Sequence, residues 1–282
     1  MPARTVAIAV GALLASSLTC STAAPAAPAA PLPRIASINP CVDGILIRVA
    51  DAEQIVGISH YSQDPRATSM SLEVARRFHA TSGTAEEIVA LAPDVVVSGP
   101  HVSPSTIHAL ERMHVHIIKF GVPESIAESA DQIRVIASAA GHPERGLALI
   151  ADIERGVAAA RPPDDARIGA VIWQSGGMVP GVGTLADELL RVTGYRNLSA
   201  AYGLRKWDVL PLEYLIASPP AVVLTPDAKD DPGDRMLEHR AVAKLSARVA
   251  FREYPFRLLQ CGGPTILQSV ARLAAVRREL PR

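Results

Sequence analysis

The feature that most limits how this chain can fold is an interrupted alternation. From Arg34 to Phe120, short apolar runs alternate with helical stretches. The runs at 35–38, 55–58, 94–98 and 115–120 read as strands, and 42–50, 71–78, 84–91 and 104–113 as helices. Two helices then come back to back. The first covers 124–140 and stops at Gly141; the second covers 143–160, opened by Pro143 and closed before Pro162 and Pro163. The alternation then resumes, with strands at 167–173, 222–225 and 257–259 and helices at 184–192, 211–217 and 264–278. Strands alternating with helices imply βαβ units, hence a parallel sheet covered on both faces. A long helix between two such stretches predicts two parallel-sheet α/β lobes: 34–142, a connecting helix at 143–161, and 162–282.

The two stretches echo each other. Glu86 opens E-E-I-V-A-L-A-P-D-V-V-V-S, and Glu213, 127 residues later, opens E-Y-L-I-A-S-P-P-A-V-V-L-T. Each is a helix begun by Glu, a Pro turn and a buried strand, one per lobe. The 282 residues suit two lobes of about 120 residues. Aromatic residues are 4%, so the cores must be built mainly from Ala, Val, Ile and Leu. Net charge is zero with no basic cluster, which excludes nucleic acid as the expected partner.

The first 33 residues stand apart. Arg4 is their only charge, and the apolar run at 6–18 is too short to span a bilayer. This predicts a signal peptide over 1–24, cleaved after Ala23 or Ala24, then an Ala/Pro spacer over 25–33. The expected location is the periplasm. Lipidation of Cys20 is the alternative, but Thr19 and Ser17 occupy the flanking positions that such a site needs small and aliphatic.

In open parallel sheets, ligands bind beyond the carboxyl ends of the strands. That rule selects Asn39 and Cys41, His60 and Tyr61, Ser82 and His101 in the first half. In the second half it selects Trp173, Gln174, Asp227 and the loop containing Cys261. His60, His101, Cys41 and Cys261 also form a two-nitrogen, two-sulfur set of the kind that holds zinc. Two other readings compete: polar cleft groups that hydrogen-bond a ligand, and a Cys41–Cys261 disulfide. An oxidising compartment permits the disulfide, which would tether the lobes. No P-loop, dinucleotide fingerprint or HExxH is present, and Ser175 in W-Q-S-G-G lacks the preceding glycine of a nucleophile elbow. The chain therefore reads as a non-enzyme without a cofactor.

Three segments stand in order: S-I-N-P at 37–40, V-G-I-S-H-Y-S-Q-D-P at 56–65 and A-E-E-I-V-A-L-A-P-D at 85–94, with Trp207 and Glu213 six residues apart further on. Together they resemble the periplasmic binding proteins of ABC importers for cobalamin and iron–siderophore complexes, over roughly 34–280. The resemblance implies two α/β lobes joined by one long helix, with a metal chelate held between them as a monomer's ligand. It implies aromatic contacts from Tyr61 and Trp207. It gives Glu86 and Glu213 a role as one surface carboxylate per lobe, pairing with arginines of a permease that works with its ATPase. The competing reading makes each a first-turn acid facing a helix dipole, worth about 0.3–1 kcal/mol. Near Ser82 the family carries a further aromatic that this chain lacks, which counts against a broad corrin ring.

Overall fold

The computed structural model describes residues 31–226 and 240–280. The expected signal peptide, Cys20, all but the end of the spacer, and Asp227 lie outside the described residues.

The first half runs β1 (Ile35–Ser37), α1 (Pro40–Val49), β2 (Ile55–Ser59), α2 (Leu72–Ala75), β3 (Ala80–Thr81), α3 (Ala85–Ala90), β4 (Val95–Ser98), α4 (Pro104–Arg112) and β5 (His116–Lys119). Two helices come next without a strand between them, α5 (Ile126–Ala139) and α6 (Pro143–Ala159). The second half runs β6 (Ile168–Ile172), β7 (Met178–Pro180), α7 (Leu185–Val192), β8 (Tyr195–Asn197), α8 (Leu198–Ala201), β9 (Trp207–Val209), α9 (Leu212–Ala217), β10 (Val222–Thr225), α10 (Arg240–Ala243), β11 (Ala250–Glu253), α11 (Arg257–Gln260) and α12 (Thr265–Glu279).

Among the described residues the strands form a five-stranded parallel sheet, order β3-β2-β1-β4-β5, and a four-stranded parallel sheet, order β11-β10-β6-β8. The molecule is two parallel-sheet α/β lobes joined by α6. That helix has 17 residues, which at 1.5 Å each span about 26 Å. It starts on Pro143, whose missing N–H costs nothing at a helix's first position.

Side chains on a strand alternate between faces, and here the alternation sorts two cores per sheet. Ile35, Val95 and Val97 of the first sheet, and Ala170, Ile172, Val222 and Leu224 of the second, all enter one apolar cluster with Leu149, Ile150 and Ile153 of α6. Their neighbours face outward into separate clusters: Ala36 and Val96 in the first lobe, Val171 and Val223 in the second. Each lobe thus has its own outer core, while the inner core is shared.

The echoed segments prove equivalent residue for residue. Glu86 and Glu213 each occupy the second position of a six-residue helix, and four-residue strands begin nine residues after each. Several elements differ from expectation. The helix expected over 71–78 is only the four residues of α2. The strand expected at 257–259 is α11; the edge strand is β11, whose partly exposed residues give a weak apolar signal. Finally, β7 and β9 form an antiparallel pair outside both main sheets.

Candidate functional site

In the first lobe the site-bearing turn is held from beneath. Residues 60–63 form a single tight turn after β2, capped by the Ser59 side chain. Asp43 of α1 is fully buried, and its Oδ2 accepts from the Ser59 backbone N–H at 2.9 Å and from Ser62 Oγ at 2.6 Å. Burial pushes the Asp43 carboxyl up to about 7, against the opposing pull of the donors around it. The turn presents His60 and Tyr61 to solvent with their rings 4.1 Å apart, and His60 Nδ1 lies 3.2 Å from the Thr81 carbonyl. Sequence reasoning did not select Asp43, although a lone acid inside the apolar run V-D-G-I-L was an available signal.

Several selected residues have structural duties instead. Asn39 is buried and caps α1, its Oδ1 accepting from the Cys41 N–H. Ser82 is exposed but donates twice to Glu87, through its N–H and its hydroxyl, both at 2.8 Å. Glu87 gathers the Thr81 hydroxyl as well, and these bonds hold its carboxyl below the usual range. Trp173 is corrected from cleft contact to core: it is wholly buried among Val171, Val179 and Leu210. Gln174 is buried beside it, its backbone N–H bonded to the Met178 carbonyl. The strand rule pointed beyond β6, but the chain folds back as β7 and roofs those two side chains over. His101 is exposed in the loop after β4.

In the second lobe the antiparallel β7–β9 pair carries Trp207, which pairs with Pro180 and is 41% exposed. Buried Asn197 ties down β7: its Nδ2 donates to the Pro180 carbonyl at 2.8 Å and to Asp187 Oδ1 at 3.1 Å. Lys206 precedes Trp207 in left-handed backbone, φ 56°, with its N–H on the Val182 carbonyl and its carbonyl accepting from Gly181. The chains cross so closely there that a Cβ on Gly181 would collide with the Leu204 carbonyl oxygen.

Trp207 lines a pocket of about 130 Å³ between the lobes. Val122, Pro123 and Glu124 come from the loop before α5; residues 183–186 come from the start of α7; residues 259–262 come from the end of α11. Most of this lining is apolar or backbone. Among the described residues, Lys206 is its one cation and Glu124 its one anion, and the two are ion-paired across the lobes. Of the residues selected from sequence, Trp207 and Cys261 line this pocket; Tyr61, His60, Ser82 and His101 do not.

Cys261, almost wholly buried, is joined to Cys41 by a disulfide linking the start of α1 to the loop after α11. The same loop is bonded to the first half again, Gly263 N–H donating to Ser129 Oγ of α5 at 2.7 Å. At the start of α5, the Ile126 N–H is taken by Glu188 of α7 at 2.7 Å. The disulfide corrects the four-residue metal set: neither sulfur is a free thiolate, and the described residues contain no group of three or more metal-ligating side chains. Glu86 and Glu213 are both exposed, without an ion pair to any described residue.

A family model described as periplasmic binding protein matches residues 35–248. The chain belongs to the periplasmic binding protein family. That family comprises solute-binding proteins, and no helix among the described residues is long and apolar enough to cross a membrane. Among solved structures, this family member is similar to the periplasmic heme-binding protein RhuT from Roseiflexus sp. RS-1, at 24% identity and TM-score 0.72, over 87% of this chain and 98% of that one. It is similar to the periplasmic heme-binding protein HutB of Vibrio cholerae, at 17% identity and TM-score 0.70, over 86% and 98%. It is also similar to the periplasmic vitamin B12-binding protein BtuF of Vibrio cholerae, at 19% identity and TM-score 0.67, over 88% and 98%. At these identities the likeness is one of fold. No curated protein matches the chain.

Proposed function

We propose that this periplasmic binding protein captures a metal chelate between its lobes and delivers it to the permease of an ABC importer. The observation that carries the reading is Trp207, a large aromatic left 41% exposed beside an apolar inter-lobe pocket. A rigid aromatic at the edge of an apolar recess offers a flat ligand surface at low entropic cost. Most of the structures of similar fold are named for haem, one for vitamin B12 and one for iron, and the prevalence of metal macrocycles among them supports this ligand class over a bare ion. The disulfide weighs in the same direction, because it removes both sulfur donors from the ion-binding alternative. Ferric siderophores remain in the class to be tried.

Docking follows the repeat. Glu86 and Glu213 stand at equivalent, exposed positions on the two lobes, so a permease bearing a pair of arginines would read both lobes at once.

Fluorescence gives a direct test, because the chain has two tryptophans and the other, Trp173, is buried in the core. Titration with hemin, cyanocobalamin and ferric siderophores is expected to quench emission saturably with one of them, and the Trp207→Ala protein to lose most of that response. Failure of every chelate to bind the wild-type protein overturns the reading.

A further inference from the structure

The ion pair in the pocket has a chemical consequence for what the pocket accepts. Its floor is fixed: Cys261 is almost wholly buried and covalently tied to the other lobe. The Lys206 and Glu124 side chains lie on the solvent side, 58% and 47% exposed. The pocket holds about 130 Å³ as it stands, against the roughly 300–1,000 Å³ usual for sites that engulf a drug-sized ligand. A chelate therefore enters by moving something, and the disulfide limits movement at the floor. The Lys206–Glu124 pair is the removable part, because an exposed ion pair is worth only about 0–1 kcal/mol.

Lys206 is also held in place by an unusual backbone. A non-glycine residue at φ 56° is strained, and strain persists where surrounding bonds over-determine it. Here the Val182 carbonyl and Gly181 N–H bond it on both sides, and its ammonium reaches the Gly183 carbonyl at 3.2 Å. The backbone thus fixes where the lysine side chain starts, and Lys206 and Trp207, adjacent in sequence, both line the pocket.

We propose that Lys206 is the anion-binding group of the ligand site, and that Glu124 occupies it until a carboxylate or phosphate on the incoming chelate takes its place. The inference rests on the chelate-receptor reading and narrows it to anionic chelates that present an apolar face to Trp207 and a negative group to Lys206. Glu124 then acts as an internal competitor. Neutral chelates gain nothing from displacing it, since they bring no charge to replace the carboxylate and leave the ammonium only the Gly183 carbonyl and water.

The test compares hemin, which carries two carboxylates, with hemin dimethyl ester, which keeps the ring and metal but loses both charges; ferric citrate serves as a small anionic chelate without the ring. Wild-type protein is expected to bind an anionic chelate more tightly than the ester, by about two- to fivefold, and to lose that margin as salt is raised. Lys206→Gln should abolish the difference between hemin and its ester, and Lys206→Arg should restore it. Glu124→Gln should tighten anion binding about two- to fivefold, because the competitor is gone while the lysine remains. Urea unfolding of each variant shows whether it is folded. If hemin and its ester bind wild type and Lys206→Gln equally well, the anion subsite is wrong and the receptor reading stands. If Glu124→Gln weakens binding, the pair is a tether between the lobes and not a competitor, and the proposal falls. If wild type binds none of the three probes nor any other chelate, both readings fall together.

Discussion

The two lobes are built on one frame and diverge in how each presents an aromatic residue. Strands β2, β1, β4 and β5 of the first lobe occupy the same order as β8, β6, β10 and β11 of the second. The α3–β4 and α9–β10 units match in length at every step. Yet Tyr61 sits on a short turn directly beyond a sheet strand, whereas Trp207 sits on an antiparallel strand pair outside the sheet. The first lobe pins its turn with a buried carboxylate, Asp43; the second pins its strand pair with a buried amide, Asn197. A duplicated frame thus leaves the loops free to differ, because the shared core depends on the alternating strand residues and not on the segments that connect them.

The largest expected effect concerns what holds the two halves together. The Cys41–Cys261 disulfide closes a loop of 220 residues. In the chain-entropy account such a crosslink is worth about 5 kcal/mol, and removing native disulfides costs about 2–5 kcal/mol in practice. Cys41→Ser with Cys261→Ser should lower the urea midpoint accordingly and loosen protection of both lobes in hydrogen exchange. An unchanged midpoint would show that the inner core through α6 joins the lobes without help.

Next comes the contrast between the carboxylate and the amide. The folded pKa of Asp43 lies near 7, above the ordinary 3.8. A raised carboxyl favours the folded state when protonated, so its contribution is fully present below pH 3.8 and is lost as pH rises through about 7. Asp43→Asn still offers an oxygen to the Ser59 N–H but cannot ionise. Its stability should be flatter than wild type's across that window, with the variant gaining by a few kcal/mol at the alkaline end. Parallel unfolding curves from pH 4 to 8 would mean the buried acid does not titrate there. Because Asn197 does not ionise, the second lobe should show no matching transition.

A smaller effect separates the two aromatics. Loss of a large apolar contact costs about 1–3 kcal/mol, so Trp207→Ala should weaken chelate binding at least about fivefold. Tyr61 is absent from the pocket lining, so Tyr61→Phe should leave affinity nearly unchanged. Equal losses from Trp207→Ala and Tyr61→Ala would make the site symmetric between lobes and erase the difference between turn and strand pair.

The smallest single effects belong to the equivalent glutamates. Exposed ion pairs contribute about 0–1 kcal/mol each, so neither single alanine variant should alter transport much. Glu86→Lys with Glu213→Lys should stop uptake in vesicles bearing the cognate permease, through repulsion, while chelate affinity and folding stay intact. Normal transport by that double variant would return both residues to the role of first-turn acids.

The frame is legible in the order of residues alone. Pro143 and Gly141 punctuate the connecting helix, and the β-branched runs at Val95–Ser98 and Val222–Thr225 mark the buried central strands. These signals are local, arising from backbone geometry and from burial on both sheet faces, so they survive without any knowledge of the partner element. The site was settled by folding in three dimensions. Trp173 and Trp207 look alike on paper, but the turn-back at β7 buries one and its pairing with β9 exposes the other. Cys41 could face a ligand, a metal or Cys261 until the loop after α11 came within bonding distance of α1. Lys206 and Glu124 carry no motif at all, and their pairing exists only because the lobes close on each other. Such contacts join residues tens to hundreds of positions apart, and their energies depend on burial and distance, which no local pattern records.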